Sequence, residues 1–217
     1  MWRLKLVITK KGLMEHDTRK EMEQEVAVCR ALFEKKTRDY GTSWRILRLP
    51  SLTDQIFIKA NRIRSIQESG ENRVGDGVKG EFVAMVNYAV MALIQNTLLS
   101  QPLAAASSPN LGDQPEGLEL PIEKALELYD TETKRILDLM MDKNHDYGEA
   151  WRQMRVSSMV DLILMKLLRI KQIEDNGGKT LVSEGVEGGY MDIVNYSLFC
   201  LVRLTEEEAD KMLEVQK

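Results

Sequence analysis

Asp192 places a charge inside an otherwise apolar run, YMDIVNYSLFCLV, near the C-terminal end of the chain. A carboxylate on a buried helix has to be paired or bound to a metal. Glu184 and Glu187 precede it, and Asn195 follows three residues later on the same helix face. Mg²⁺ takes hard oxygen ligands, one or two carboxylates together with substrate phosphates. The spacing therefore makes Glu184, Glu187 and Asp192 candidate metal ligands, with Glu187 and Asp192 the candidate catalytic carboxylates. Gly188 and Gly189 leave room for a ligand to approach the backbone. Acids at a helix N-terminus are also favoured by the macrodipole, which accounts for Glu184 and Glu187 without any metal. It does not account for Asp192.

Phosphate chemistry needs cations, and Lys166 with Arg169 stand three residues apart on one helical face. Lys59 and Arg62 repeat the pair earlier in the chain. All four are candidate substrate contacts, as is Asn195; the competing reading is that their stems simply snorkel from an apolar stripe. Trp151 offers a surface for stacking a base, against the ordinary role of a tryptophan in a helix junction. Asp54 and Asp161 each follow a serine by three residues, a capping-box spacing at Ser51 and Ser158.

These residues sit in elements that occur twice. KTRDYGTSWRILRLPSLTDQIFIKANRI, residues 36–63, recurs as KNHDYGEAWRQMRVSSMVDLILMKLLRI, residues 143–170. DGVKGEFVAMVNYAVMAL, from Asp76, recurs 108 positions later as EGVEGGYMDIVNYSLFCL, from Glu184. The chain is a duplication. It divides into an extension (1–16), a first repeat (17–99), a Pro-, Gly-, Ser- and Ala-rich linker (100–121) and a second repeat (122–217). The second repeat keeps three carboxylates at the start of its last helix, whereas the first has Asp76, Lys79 and Ala84 there. At most one competent metal site per chain is expected.

Each repeat reads as three helices. The first spans roughly 17–36 and 122–143, with Val28, Ala31 and Leu32, then Ile136, Leu139 and Met140, as its apolar face. Gly41 and Gly148 suit the left-handed conformation that ends a helix. The second runs from Ser51 and Ser158 to about Gly70 and Gly177, and the third starts near Lys79 and Glu187. Only LKLVI near the start suggests a strand. The expected architecture is all-α: two homologous helical repeats packed as a pseudo-twofold bundle, because neither half buries much alone.

At 217 residues, with a net charge of -4 and a pI near 5.4, the chain has no global attraction for duplex nucleic acid or anionic membranes. Its two cysteines, Cys29 and Cys200, form no metal-binding cluster and fit a reducing cytoplasmic setting. The short apolar run after Met1 is shorter than a membrane span requires. A soluble, cytoplasmic protein is expected, and the sequence leaves open whether the internal pseudo-dimer pairs again as a homodimer.

The twin KxxDYGxxW and KxxRI segments, together with EGVEGGYMDIVNYS, resemble the family called nucleotide modification associated domain 1, in duplicated form. The resemblance implies a link to nucleotide metabolism or base modification. More distantly the chain is similar to the MazG and dimeric dUTPase group of all-α nucleoside triphosphate pyrophosphatases. That likeness implies Mg²⁺ on Glu184, Glu187 and Asp192, and phosphate on Lys166 and Arg169. The text also satisfies that group's ExxE…ExxD pattern at Glu184, Glu187, Glu207 and Asp210. On one unbroken helix, however, those pairs stand about 30 Å apart and share no metal.

The expected function is a Mg²⁺-dependent nucleotide-processing protein, foremost a nucleoside triphosphate pyrophosphohydrolase. In that chemistry a carboxylate-held metal polarises phosphoryl oxygen and activates water. The alternative is a non-catalytic nucleotide-binding or protein-interaction helical module.

Overall fold

The computed structural model describes residues 16–73, 75, 77–100, 119–180 and 185–215. Six α-helices follow in order: α1 (Thr18–Tyr40), α2 (Leu49–Ser69), α3 (Val78–Leu99), α4 (Ile122–Tyr147), α5 (Val156–Asp175) and α6 (Val186–Val215). A short 3₁₀ turn joins α1 to α2 at Ser43–Ile46, and another joins α4 to α5 at Ala150–Gln153. The described residues contain no strand, and the fold is the all-α duplication that the repeats predict. LKLVI lies outside the described residues.

The two halves interleave. Helices α2, α3, α6 and α5 close a ring in which each packs on the next. Helix α1 lies against α4, α3 and α6, while α4 lies against α1, α6 and α3, the same set with the copies exchanged. That is the pattern of a pseudo-twofold axis. The apolarity of the third helices follows from this position. Helix α3 is long and apolar enough, by length and composition alone, to cross a membrane. Within the bundle it buries Phe82, Val83, Met85, Val86 and Ala89 to Gln95 against neighbours on several sides. Each large side chain so buried contributes roughly 1.5–3 kcal/mol, and the α3–α6 face would be exposed in a half standing alone.

Asp17 caps α1, its side chain accepting from the Lys20 amide at 3.1 Å. Both first helices run one turn beyond Lys36 and Lys143, through Asp-Tyr, and stop at Gly41 (φ 63°) and Gly148 (φ 58°). The buried face of α1 is Met22, Glu25, Cys29, Phe33 and Thr37. Val28, expected inside, is exposed, and the inward stripe of α1 falls one position later, at Cys29 and Phe33; on α4 Ile136 and Met140 are buried as expected, and Leu139 is exposed.

Two details of the second helices depart from expectation. They begin at Leu49 and Val156, with Arg48 and Arg155 at the N-cap, so Ser51 and Ser158 lie inside the first turn. Pro50 is compatible with the first turn of α2, since a proline there leaves unmade only a bond that is missing anyway, and α5 starts at the matching position with Ser157 in its place. Asp54 and Asp161 do not cap. They pair across the two copies, Asp54 with Lys171 at 2.6 Å and Asp161 with Arg64 at 3.8 Å, joining α2 to α5.

The corners are pinned from the third helices. Gln95 donates to the Arg45 and Leu47 carbonyls at 3.1 and 3.3 Å. Arg203, its counterpart 108 positions on, donates to the matching Arg152 and Met154 carbonyls.

Candidate functional site

The start of α6 comes close to α5 because position 189 carries no side chain. A Cβ there would stand 2.9 Å from the Ile170 side chain. Beside this crossing opens a cavity of about 260 Å³. Lys143 from α4, Lys166 and Arg169 from α5, and Asp192 and Asn195 from α6 line it. Lys166 Nζ lies 2.6 Å from Asp192 Oδ2, and Lys143 Nζ lies 3.9 Å from Oδ1. Arg169 is exposed and has no hydrogen-bond or ion-pair partner among the described residues. Three cations thus face one carboxylate.

A second cavity, of about 370 Å³, adjoins the first and shares Lys143, Asp192 and Asn195 with it. Apart from Asn144, its remaining wall is aromatic and apolar, with Met140, Tyr147, Trp151, Met154, Tyr196 and Phe199 among its residues. Tyr147 sits at the rim, 74% exposed. Burial, and then the nearby Asp192 charge, push the Tyr196 phenol above its ordinary value, so it stays protonated. Trp151 cannot take a base in the way the sequence suggests. Phe199 stacks on the indole at 4.4 Å and 11°, and the Arg152 guanidinium lies 4.2 Å from its centroid. Trp151 is a wall of the chamber, not a stacking platform.

Asn195 is 8% exposed, and its Oδ1 is buried without a partner. Its counterpart Asn87 is fully held: it donates to the Cys29 carbonyl at 3.1 Å and accepts from the Tyr129 hydroxyl at 2.8 Å. The position on α1 that matches Tyr129 is Met22, which has no hydroxyl to offer.

In the first copy the corresponding cavity is filled. Glu81 takes the place of Gly189, is 7% exposed, and pairs with both Lys59 (3.2 Å) and Arg62. Ala84 stands where Asp192 does. The aromatic chamber survives, about 310 Å³ in volume, with Lys36, Tyr40, Trp44 and Tyr88 in its wall.

The structure therefore brings Lys166, Arg169, Asp192 and Asn195 together, with Trp151 alongside. Lys59 and Arg62 belong to the filled copy. Glu187 does not line the cavity; it accepts from Arg135 of α4 at 2.5 Å. Glu184 lies outside the described residues. As a Mg²⁺ site the described donor set does not fit, because it supplies one carboxylate already held by an ammonium group. The one cluster with metal-ligand spacing among the described residues, His16, Glu21 and Glu206, is elsewhere, between α6 and the start of α1. Sequence reasoning missed Lys143 and the exchange of Glu81 for Gly189. Both were readable: Lys143 opens the repeated KxxDYG, and the exchange stands in the aligned repeats.

Comparison with known proteins gives one result. The model of the family described as nucleotide modification associated domain 1 matches the chain twice, over residues 36–96 and 143–204. No curated protein and no solved structure matches it.

Proposed function

The chain belongs to the nucleotide modification associated domain 1 family, which it carries twice, and from that premise we propose that its second copy is a nucleotide-binding site. The phosphate rests on Lys143, Lys166 and Arg169, and the base enters the adjoining aromatic chamber. One observation carries this reading. In the first copy an anion of the chain itself, Glu81, sits on Lys59 and Arg62; in the second, Gly189 removes that anion and the matching cations line a cavity. Arg169, without a partner among the described residues, and Lys166, held by Asp192 alone, suit phosphate oxygens, which accept charge-assisted hydrogen bonds. The contiguous chamber supplies an apolar, aromatic wall for a ring.

Calorimetric titration with orthophosphate and with nucleoside mono-, di- and triphosphates tests it. One site per chain is expected, and Arg169→Ala weakens both orthophosphate and nucleotide by about tenfold or more, the scale of a charge-assisted bond. Unchanged affinities in that variant sink the reading.

Mg²⁺-dependent hydrolysis of a nucleoside triphosphate is the second reading, favoured by the Asp192 carboxylate beside the phosphate cations. It needs further ligands such as Glu184. Pyrophosphate release that requires Mg²⁺ and disappears in Asp192→Ala supports it; no release from a panel of canonical and modified triphosphates leaves binding alone.

A further inference from the structure

A carboxylate is an odd component of a phosphate site, since like charges repel. Its position gives it a purpose. Asp192 and Asn195, with Lys143, line both cavities and so form the waist between them. Resting on the nucleotide reading above, we infer that Asp192 and Asn195 read the sugar, so that the ligand is a nucleotide with a free sugar hydroxyl. In a ligand with its phosphate in one chamber and its base in the other, the sugar lies at the waist.

The chemistry of the pair fits that place. Asp192 Oδ2 is engaged by Lys166 at 2.6 Å, while Oδ1 is 3.9 Å from Lys143, beyond hydrogen-bond distance. That oxygen is left to accept from a hydroxyl. Asn195, more than nine-tenths buried with Oδ1 unpartnered, adds an amide that can donate or accept. The first copy supplies an independent contrast. Where Glu81 fills the phosphate cavity, the waist has also lost both groups: Ala84 replaces the acid, and the Asn87 amide is tied to Cys29 and Tyr129. Two exchanged residues, Glu81 for Gly189 and Ala84 for Asp192, and one asparagine common to both copies but unpartnered only in the second, lie along the path of a single ligand.

The alternative is that Asp192 only holds Lys166 in position, which makes it a phosphate residue acting indirectly. Binding to three probes separates the two: orthophosphate, the tightest-binding member of a panel of ribo- and deoxyribonucleoside 5′-monophosphates, and the 2′,3′-dideoxy analogue of that member. The wild-type protein is expected to prefer the parent nucleotide over the dideoxy analogue by about tenfold, the scale of one hydrogen bond to a charged group. Asp192→Ala, which installs the residue the first copy carries there, brings the two within about twofold and leaves orthophosphate binding unchanged or tighter. Asp192→Asn, of the same shape, keeps a partial preference. The inference is overturned if the wild type does not discriminate, if Asp192→Ala weakens orthophosphate as much as nucleotide, or if discrimination requires Mg²⁺. Failure of every probe, orthophosphate included, overturns the nucleotide reading as well. Orthophosphate binding without sugar discrimination overturns this inference alone.

Discussion

Lys166 on α5 meets Asp192 on α6 at 2.6 Å, whereas its counterpart Lys59 on α2 meets Glu81 on α3 at 3.2 Å. The same lysine finds its acid from positions one helical turn apart, since Glu81 aligns with Gly189 and not with Asp192. Moving the acid along the helix changes what happens to the neighbouring arginine. Arg62 shares Glu81, but Arg169 has no partner among the described residues. The second copy thus opens a cavity without stranding its lysine, and leaves one guanidinium on the wall to meet a ligand.

Removing the filler from the first copy costs stability. Glu81→Gln leaves Lys59 and Arg62, both largely buried, without their shared acid. Loss of one partner of a buried pair costs several kcal/mol, and partial exposure of the cations lowers this to about 1–3 kcal/mol. Thermal unfolding followed by circular dichroism should show a fall of roughly 3–10 °C. Phosphate at tens of millimolar should restore part of it by occupying the freed cations, whereas chloride at matched ionic strength should not.

Glu174 gives stability a pH dependence. Burial raises its carboxyl above the ordinary 4.5, Asp54 and Asp175 add to the rise, and hydrogen bonds from Thr53 (2.8 Å) and Tyr190 (3.1 Å) oppose it. A carboxyl whose folded pKa exceeds its unfolded one binds its proton first in the native state. Its contribution therefore becomes more favourable as pH falls through the raised value, and levels off below about 4.5. Glu174→Gln should stabilise the protein more at pH 8 than at pH 5, as read by urea midpoints at both pH values. An equal change at both points to packing instead.

Both cysteines are inert in the native protein. Burial pushes the Cys29 and Cys200 thiols up to about 12, so almost no thiolate forms near neutrality. Labelling by a chromogenic disulfide reagent should be slow in buffer and rise to two thiols per chain in denaturant, with a rate that follows global unfolding. Rapid labelling of either thiol in buffer shows local opening at α1 or α6.

Local pattern carried much of this into the sequence, and long-range pairing did not. The duplication, three helices per repeat, the stops at Gly41 and Gly148, and the shared face of Asp192 and Asn195 follow from spacing along one helix. The partners of Asp54 and Asp161 could not be read that way, because Lys171 and Arg64 come from the other copy. Glu187 pairs with Arg135 within its own repeat, but on another helix, which spacing along α6 does not reveal. Trp151 looked available because sequence gives no account of how many faces of an indole are already covered. On α1 the register slipped by one position because Glu25 and Thr37, polar by composition, belong to the buried stripe.

Gly189→Glu should convert the second copy into an image of the first. The new carboxylate starts from the position that Glu81 occupies, one turn before Asp192, and reaches Lys166 and Arg169 as Glu81 reaches Lys59 and Arg62. Its Cβ meets the outer atoms of Ile170 at 2.9 Å, so that side chain must move. The first copy carries the same isoleucine, Ile63, beside Glu81 with no loss of burial. A cost of about 1–2 kcal/mol from this crowding is offset by the ion pair to Arg169, and circular dichroism should show an intact helical fold with a midpoint within a few degrees of wild type. Orthophosphate and nucleotide binding should fall by about a hundredfold or more, since an internal carboxylate competes without the entropy of association. Gly189→Gln fills the space without the charge. If it abolishes binding as completely as Gly189→Glu, then volume and not anion mimicry closes the site. If binding survives Gly189→Glu, the cavity is not where the phosphate goes.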